Sequence, residues 1–270
     1  MTSNNIGTVN SLWRYPVKSM MGESLQSSDF TEKGLRADRS FALIDTETGK
    51  VVSAKNPKRW PNMFSFQSRC LQLPGSDHGN AVIEITLPDG TTVNSDDSHV
   101  NTVLSKALGR DVQLISQVPN KPQLEEYWPD IEELDNRDIV TDEDMPVGTF
   151  FDLAIVHLLT ESTLNELQRL YPEGQFEARR FRPNVLVNTT QTGFVENDWI
   201  GKTLAIGNVL LKVTDPCPRC VMTTLPQGDL PKDTKILRTA AQHNNAHVGV
   251  YADVVQAGTI NCNDQISIEG

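Results

Sequence analysis

The chain has 270 residues, enough for one large domain or two of ordinary size with a substantial buried core. Its hydrophobic and charged fractions, 38% and 22%, are typical of a globular protein rather than a disordered or fibrous one. A formal net charge of −11 at pH 7 argues against nucleic acid or an anionic membrane as a general partner.

The negative charge is concentrated in one stretch. Residues 124–144 hold ten Asp and Glu against one basic residue, Arg137, and so carry −9 of the −11. The rest of the chain is close to neutral and leaves room for a positive pocket that binds an anion. We interpret residues 118–147 as a solvated acidic connecting segment between two domains, 1–117 and 148–270.

Targeting signals and cysteine content indicate the compartment. The first residues, MTSNNIGTVNSLWRYP, have neither a basic start nor an apolar run of signal-peptide length. No stretch approaches the ~18 apolar residues that span a bilayer. The four cysteines are too few for a disulfide framework. We therefore expect a cytoplasmic protein that has no membrane partner.

The first part of the chain favours strands. Residues 7–15 alternate, with one side formed by Val9, Ser11, Trp13 and Tyr15. Residues 41–54 and 82–94 predict hairpins, with turns at Gly49 and at Pro88-Asp89-Gly90. A helix is predicted within 96–111, where an apolar face begins at Val100 and Gly109 marks the end.

The second part mixes strands with two more helices. Strands are predicted at 150–159, 184–188 and 203–215, and around Tyr251 and Ile266. One helix begins at Thr160 and is ended by Pro172, and another begins near Asp233. The strict alternation of a doubly wound sheet is missing. The fold class that follows is β-rich α+β, with two barrel-like β domains and a few helices.

A Cys-x-x-Cys pair, Cys217 and Cys220, has several interpretations. A zinc site with His243 and His247 would need 22 residues between the two pairs, against about 12–15 in a zinc finger. A thioredoxin-type disulfide needs a helix after the first cysteine, and VMTTLP follows instead. A single thiolate metal ligand is a third interpretation, with Arg219 as a cationic neighbour. The spacing leaves these interpretations, and an ordinary pair of loop cysteines, open.

Four ordered motifs carry a resemblance to a known family. They are YPVKS at 15–19, GLRADR at 34–39, FRPN at 181–184 and CPRCVMTT at 217–224. Together they resemble the MOSC family, named for the C-terminal domain of molybdenum cofactor sulfurase, preceded by its N-terminal β-barrel domain. The resemblance covers nearly the whole chain. It indicates bacterial relatives of the mitochondrial amidoxime-reducing component.

The resemblance implies a cofactor and a set of site residues. Molybdenum would be held by the dithiolene of a molybdopterin-type pterin and by one protein thiolate, Cys220, which is also the expected catalytic residue. The positions that match the pterin and phosphate site are Lys18, Ser19, Arg39, Arg182, Asn184, Arg219 and Tyr251. Arginine and lysine suit a phosphate, and an asparagine amide suits a flat ring that both donates and accepts. The family also brings an association with pyridoxal phosphate binding.

Four positions depart from the pattern of the family. Pro218 stands where relatives commonly have serine, so neither a hydroxyl nor an N–H is available there. Leu153 and Ala154 stand where close relatives have Thr-Ser, so only backbone groups could contact the cofactor at that point. Met20 replaces a frequent cysteine of the family.

The activity implied by the resemblance is an oxidoreductase that removes oxygen from N-hydroxylated small molecules. Electrons would come from a separate protein of ferredoxin, flavin or cytochrome type, and the protein would bind and orient while the cofactor does the redox chemistry. Two alternatives remain. One is a sulfur carrier with a persulfide on Cys220 for metal-sulfur centre assembly, and the other is a non-catalytic molybdenum cofactor binding protein.

Overall fold

The computed structural model describes residues 4–75 and 80–269. Strands dominate its first part, which contains, in chain order, β1 (Asn4–Arg14), β2 (Glu23–Leu25), β3 (Ser27–Thr31), β4 (Gly34–Leu35), β5 (Ala42–Asp45), β6 (Gln67–Gln72), β7 (Val82–Thr86), β8 (Thr92–Asn94), α1 (Val100–Leu108), β9 (Val112–Ile115), β10 (Gln123–Trp128) and β11 (Ile139–Asp144).

Helices are more frequent in the second part. In chain order it contains β12 (Val156–Thr160), α2 (Glu161–Leu170), α3 (Ala178–Phe181), β13 (Val185–Asn188), β14 (Thr203–Ile206), β15 (Val209–Pro218), α4 (Lys235–Asn244), β16 (His247–Gln256), β17 (Gly258–Asn261) and β18 (Gln265–Ile268). Short 3₁₀ helices cover Met63–Ser65, Val195–Trp199 and Val221–Thr224. In the described ranges, no helix is both long and apolar enough to cross a membrane.

Seven strands close into a barrel. Their order is β13-β12-β16-β15-β14-β18-β1, and the pairing of β1 with β13 completes the ring. Strands β12 and β13 run parallel, and the other neighbours in the ring run antiparallel. The inward side chains form one apolar core, represented by Val9, Leu158 and Leu211. Strand β1 is therefore one of the seven barrel strands, and the other six come from the second part of the chain.

A bulge in β1 changes which side chains face that core. The register of β1 against β13 shifts between Val9 and Ser11. Such a bulge adds one residue and so turns the following side chains to the other face. Leu12 is buried beside Val9, whereas Ser11 and Trp13 are partly exposed. The prediction that Ser11 and Trp13 lie on the same side of the strand as Val9 is therefore wrong.

Smaller sheets form a second body beside the barrel. They are β6-β7-β8, β5-β9 and β10-β11, and α1 packs with them over a core that includes Phe66 and Leu104. The two bodies are interleaved along the chain, because β1 belongs to the barrel and the strands of the second body follow it before β12. A further sheet, β17-β3-β4, also joins strands from both parts of the chain. The domain boundaries at residues 117 and 148 stay a prediction.

The predicted β-rich α+β class is confirmed. Helices α1, α2 and α4 form where the apolar periodicity predicts them, and Thr160 caps α2 by accepting a hydrogen bond from the Thr163 N–H. The strand predicted over 150–159 is wrong in its first half, since β12 begins at Val156. Residues 150–152 instead turn toward Lys18, which donates to the Phe150 carbonyl.

The acidic segment differs most from the prediction. Instead of a solvated connection it forms the hairpin β10-β11, in which Leu124 and Glu126 are buried. Lys50, Lys55 and Lys58 pair with carboxylates of this hairpin. At its tip Glu133 contacts Arg238 and Gln242 of α4. The segment is thus a fixed element that reaches from residues 50–58 to α4.

Candidate active site

A cavity of about 580 Å³ lies between the barrel and the second body. All the site residues that the resemblance implies line it: Lys18, Ser19, Arg39, Arg182, Asn184, Arg219, Cys220 and Tyr251. Three of the four departures from the family pattern, Leu153, Ala154 and Pro218, line it as well. The fold therefore brings together side chains that are far apart in sequence. Their roles toward a cofactor stay a prediction.

Lys18 enters the cavity from the turn after β1. Its side chain is buried, and Nζ donates to the Phe150 carbonyl at 2.9 Å and to Asp152 Oδ1 at 2.5 Å. Burial lowers the pKa of Lys18, and Asp152 opposes that effect. Burial also acts on Asp152, but Lys18 and Lys55 outweigh it and hold the pKa of this carboxyl well below its usual range. The next residue, Ser19, has a left-handed backbone with φ 64 and accepts a hydrogen bond from the Ala54 N–H.

Two arginines converge on one aromatic ring. The guanidinium carbons of Arg39 and Arg182 lie 4.4 and 4.2 Å from the ring centroid of the buried Tyr15. Both arginines have a left-handed backbone, with φ 46 and φ 56, a conformation that costs ~1–3 kcal/mol and concentrates at functional sites. Burial, with the neighbouring Arg39, lowers the pKa of Arg182 to about 10. Two cations so close together favour an anion between or beside them.

Asp38 organises this end of the cavity, and the sequence analysis missed it. Its carboxylate accepts hydrogen bonds from the Tyr15 N–H at 2.6 Å and from Asn184 Nδ2 at 2.9 Å, and it pairs with Arg39. Asn184 Oδ1 accepts from the His157 N–H. Both ends of the Asn184 amide are thus engaged within the protein. The available signal was the position of Asp38 within GLRADR, directly before Arg39.

The two cysteines occupy different environments. Cys217 has no exposed surface and accepts a hydrogen bond from Arg219 Nη1 at 2.7 Å. His157 and Tyr251 contact the same sulfur. Burial acts to raise the pKa of the Cys217 thiol, but Arg219 and His157 outweigh it and lower that pKa to about 6. Cys217 is therefore a hydrogen-bond partner of Arg219 and lies behind the cavity surface.

Cys220 faces the cavity just after β15 ends. It is partly exposed and begins the 3₁₀ turn Val221–Thr224. Burial and the carboxylate of Glu126 raise the pKa of its thiol to about 11, while Lys55 and Arg219 act in the opposite direction. Cys220 therefore lies between charges of both signs.

Arg180 holds the loop that follows Cys220. It is completely buried and has no carboxylate partner in the described part of the chain. Its guanidinium instead donates to four carbonyl oxygens at 2.9–3.2 Å, those of Gln175, Thr223, Leu225 and Pro231. These contacts tie the 3₁₀ turn to the segment before α3.

The zinc interpretation of the cysteine pair is wrong. Throughout residues 4–75 and 80–269, the structure contains no group of three or more His, Cys, Asp or Glu placed to hold a metal ion. Cys217 is engaged by Arg219, and all four cysteines are free thiols. Cys220 is the cysteine that lines the cavity, and its role as a metal ligand stays a prediction.

Lys55, Glu126 and Asp152 are further lining residues that the sequence analysis missed. Lys55 Nζ lies 3.0 Å from Glu126 Oε2 and 4.0 Å from Asp152 Oδ2. Burial acts to lower the pKa of Lys55, but Asp152, Cys220 and Glu126 together raise it above its usual value. With Lys18 they form a row of alternating charges in the wall of the cavity. Lys55, Glu126 and Asp152 stand in none of the four motifs, so only the fold reveals the row.

Known proteins match both halves of the chain. Residues 6–116 match the MOSC N-terminal beta barrel domain and residues 148–267 match the MOSC domain. The mitochondrial amidoxime reducing component 2 of Bos taurus is 28% identical over 235 residues, which cover 82% of this chain and 67% of that protein. The molybdenum cofactor sulfurase of Oryza sativa subsp. japonica is 25% identical over 261 residues, which cover 85% and 30%. Among solved structures, the YuaD protein of Bacillus subtilis covers 97% of this chain and 94% of that chain, with a TM-score of 0.45 and 11% identity.

The fold and the site define a class of β-rich proteins that have a closed barrel and a cavity lined by a cysteine. This chain belongs to the MOSC family and carries the MOSC N-terminal β-barrel domain ahead of the MOSC domain. The resemblance inferred from the four motifs is confirmed. Its similarity to amidoxime-reducing components is at low identity, 25–28%.

Proposed function

We propose that the protein is a molybdenum-cofactor-binding oxidoreductase that reduces N-hydroxylated small molecules with electrons from a separate protein. The observation that supports this function best is the composition of the cavity surface. Lys18, Arg39, Arg182 and Arg219 line one cavity, and Cys220 is the cysteine that faces it. The similarity to proteins named amidoxime reducing components supports the type of reaction.

The residues present fit a pterin cofactor with a phosphate tail. The clamp cations are Lys18, Arg39, Arg182 and Arg219. Two carboxylates accompany these four cations, Asp152 in the lining and Asp38, which pairs with Arg39. This excess of positive charge suits a phosphate dianion. In addition, Arg219 Nε is buried and has no hydrogen-bond partner in the described ranges. A buried unpaired donor costs ~1–3 kcal/mol, so an acceptor atom of the cofactor beside Arg219 would remove that cost.

In this function the chain would bind and orient, and the bound cofactor would supply the two-electron chemistry that removes oxygen from the N-hydroxyl group. Cys220 would hold the metal through its thiolate. Lys18, Arg39 and Arg182 would bind the phosphate end. Asn184 and Asp38 would keep Arg39 in position. Cys217 would do the same for Arg219.

A sulfur carrier and a non-catalytic cofactor-binding protein are the alternatives. The relative named molybdenum cofactor sulfurase gives the first one some support. Of the clamp cations, Arg219 acts on the Cys220 thiol. A persulfide on Cys220 would give no role to Lys18, Arg39 and Arg182, whereas a bound anion would. The cavity therefore favours cofactor binding, and the amidoxime-reducing relatives favour a reductase over a storage protein.

Metal analysis and a turnover assay test the proposal. The protein is purified from a molybdenum-replete host, and molybdenum and pterin are measured per chain. Reduction of benzamidoxime is then followed with a small artificial electron donor. About one molybdenum per chain together with turnover is the expected result. Absence of molybdenum would favour the sulfur carrier, and bound molybdenum without turnover would favour the storage protein.

Three further expectations stay predictions. The electron donor would be a ferredoxin, flavin or cytochrome protein, since these carry electrons at suitable potentials. The cytoplasmic location rests on the sequence alone. The association with pyridoxal phosphate rests on the family alone.

A further inference from the structure

The cavity carries opposite charges on two of its sides. One side has the clamp cations with Asp152. The other side is formed by the hairpin β10-β11 and the turn between its strands. Its lining carboxylates, here called the hairpin wall, are Glu126, Glu133, Asp135, Glu143 and Asp144. The lysine that accompanies them in the lining is Lys55, so this side keeps a clear excess of negative charge.

The hairpin wall is held in place by hydrogen bonds at several points. Lys55 Nζ binds Glu126 at 3.0 Å. Glu133 accepts from Gln242 Nε2 at 2.6 Å, and Asp144 accepts from Gln123 Nε2 at 2.8 Å. The two glutamines fix carboxylates without neutralising them, whereas Lys55 offsets the charge of Glu126 and Arg238, 3.4 Å from Glu133, offsets that of Glu133. The negative charge that remains is a fixed property of the cavity.

Apolar side chains lie among these carboxylates. Trp128, Leu134 and Met222 line the same part of the cavity. The Trp128 indole N–H donates to Thr141 Oγ1 at 2.8 Å, which holds the ring in one orientation. His247 also lines the cavity, and burial lowers its pKa, so it adds no positive charge at neutral pH. A ligand on this side meets apolar surface and negative charge together.

Cys220 lies at the border of the two sides. The charges that act on its thiol come from Glu126 and Lys55 on one side and from Arg219 on the other. A molecule that reaches Cys220 from the hairpin side therefore meets the hairpin wall, of which Glu126 acts on the thiol itself. The clamp side is the one that the proposed cofactor would occupy, which leaves the hairpin side for a substrate.

We propose that the hairpin wall selects substrates by charge: N-hydroxylated molecules with a cationic group on an apolar or aromatic body are preferred, and anionic ones are rejected. This inference rests on the proposed function, which supplies the N-hydroxyl group. A single charge at roughly 10 Å changes an affinity about twofold in a solvent-like dielectric. The five carboxylates less the charges of Lys55 and Arg238 leave an excess of three negative charges. Together these give a preference of about tenfold or more between ligands of opposite charge, and salt weakens it.

Three benzamidoximes that differ only in the para substituent measure the preference. The substituents are trimethylammonium, hydrogen and carboxylate, and kcat/KM is determined with one small electron donor at low and high ionic strength. The expected order is cation, neutral, anion, with about tenfold between the extremes at low salt and a smaller ratio at high salt. An anion that is reduced as well as the cation overturns the inference.

Two matched variants locate the effect. The first replaces the exposed part of the wall: Glu133→Gln, Asp135→Asn, Glu143→Gln and Asp144→Asn. The control removes the same charge from the same segment at positions that do not line the cavity: Asp130→Asn, Glu132→Gln, Asp138→Asn and Asp142→Asn. The preference should fall to about twofold in the first variant and stay largely intact in the control. An equal loss of the charge preference in both variants would assign the preference to the overall charge of the segment. That result would overturn the inference.

A binding measurement separates this inference from the proposed function. Benzamides with the same para groups lack the N-hydroxyl and are not reduced, so calorimetry with the purified protein reports binding alone. The trimethylammonium benzamide should bind about tenfold tighter than the carboxylate, and the wall variant should lose that difference. Equal affinities for the two benzamides would overturn the inference that the hairpin wall selects ligands by charge. If no benzamidoxime is reduced but the binding preference holds, the proposed reaction fails and the charge selection of the cavity stands.

Discussion

At the scale of single residues, the Cys-x-x-Cys pair separates into a support and a candidate ligand. Cys217 lies behind the cavity with its sulfur on Arg219, and Cys220 lies in the lining. The sequence predicts that the two are not equivalent, but only because of the resemblance. The resemblance assigns no role to Cys217. The hydrogen bond from Arg219 shows that removing the Cys217 sulfur also removes the acceptor of a charged donor.

The first prediction compares variants of these residues. Cys220→Ala should abolish benzamidoxime turnover and retain much of the pterin, because the clamp cations are unchanged. Cys217→Ala should retain metal and most of the activity, at a stability cost of ~1–3 kcal/mol for the lost acceptor of Arg219. Arg219→Ala should weaken cofactor retention. Molybdenum and pterin per chain, turnover and Tm measure these effects, and an equal loss of activity in the two cysteine variants would contradict the single-ligand interpretation.

Other residues of the site carry no signal in the sequence. Asp152 lies in an apolar run, and Lys55 lies in a lysine-containing loop, so each resembles an ordinary surface charge. Glu126 is one carboxylate among many in the acidic stretch. Their importance comes from contacts across the cavity, Lys55 with Glu126 and Lys18 with Asp152, between segments far apart in the chain. Side chains that meet only through the fold have no spacing for sequence analysis to detect.

At the scale of elements, the loop after β15 depends on a buried arginine from another segment. Arg180 gives its hydrogen bonds to main-chain carbonyls, among them those of Thr223 and Leu225. Since the turn Val221–Thr224 starts directly after Cys220, these bonds determine how the thiol is presented to the cavity. We expect Arg180 to be a positioning residue for Cys220.

The second prediction is that Arg180→Met loosens the loop after Cys220 more than it destabilises the rest of the protein. In metal-free protein well below its Tm, iodoacetamide should alkylate Cys220 several-fold faster in this variant. Arg180→Lys should be intermediate, because an ammonium cannot reproduce the planar fork of donors. Mass spectrometry of the Cys220 peptide gives the rate. Arg179→Met is the control, since Arg179 makes ion pairs with exposed Glu177 and Asp229. Equal alkylation rates in wild type and Arg180→Met would contradict the positioning role.

The hairpin β10-β11 is an element that the sequence analysis did not predict, and its composition explains why. Asp and Glu are poor strand formers, and a dense acidic run is more often solvated than folded. Here lysines of residues 50–58 compensate the charge, and Leu124 packs in a small core with Val51 and Phe150. Both compensations come from other parts of the chain. Helices α1, α2 and α4, in contrast, were found because an apolar face and its end signals are local.

At the scale of the whole molecule, the class of the fold was accessible from the sequence and the closure of the barrel was not. Alternation, turn residues and the absence of βαβ units predict a β-rich protein. They do not indicate which strands pair. The structure shows that β1 joins β13 and β18, and that β17 joins β3. The two halves that match separate domain families are therefore joined by shared sheets, not only by a connecting segment.

The third prediction follows from that sharing. A chain of residues 148–270 alone lacks β1 and leaves the edges of β13 and β18 unpaired, so it should show no cooperative thermal transition. The full chain should unfold in a single transition, with equal calorimetric and van't Hoff enthalpies. Asn4 pairs with Ile268, so a short Gly/Ser linker can place residues 4–14 after residue 269 as a matched control. This permuted chain should regain a transition and slow amide exchange in β13. Cooperative unfolding of residues 148–270 without β1 would show that the barrel does not depend on its first strand.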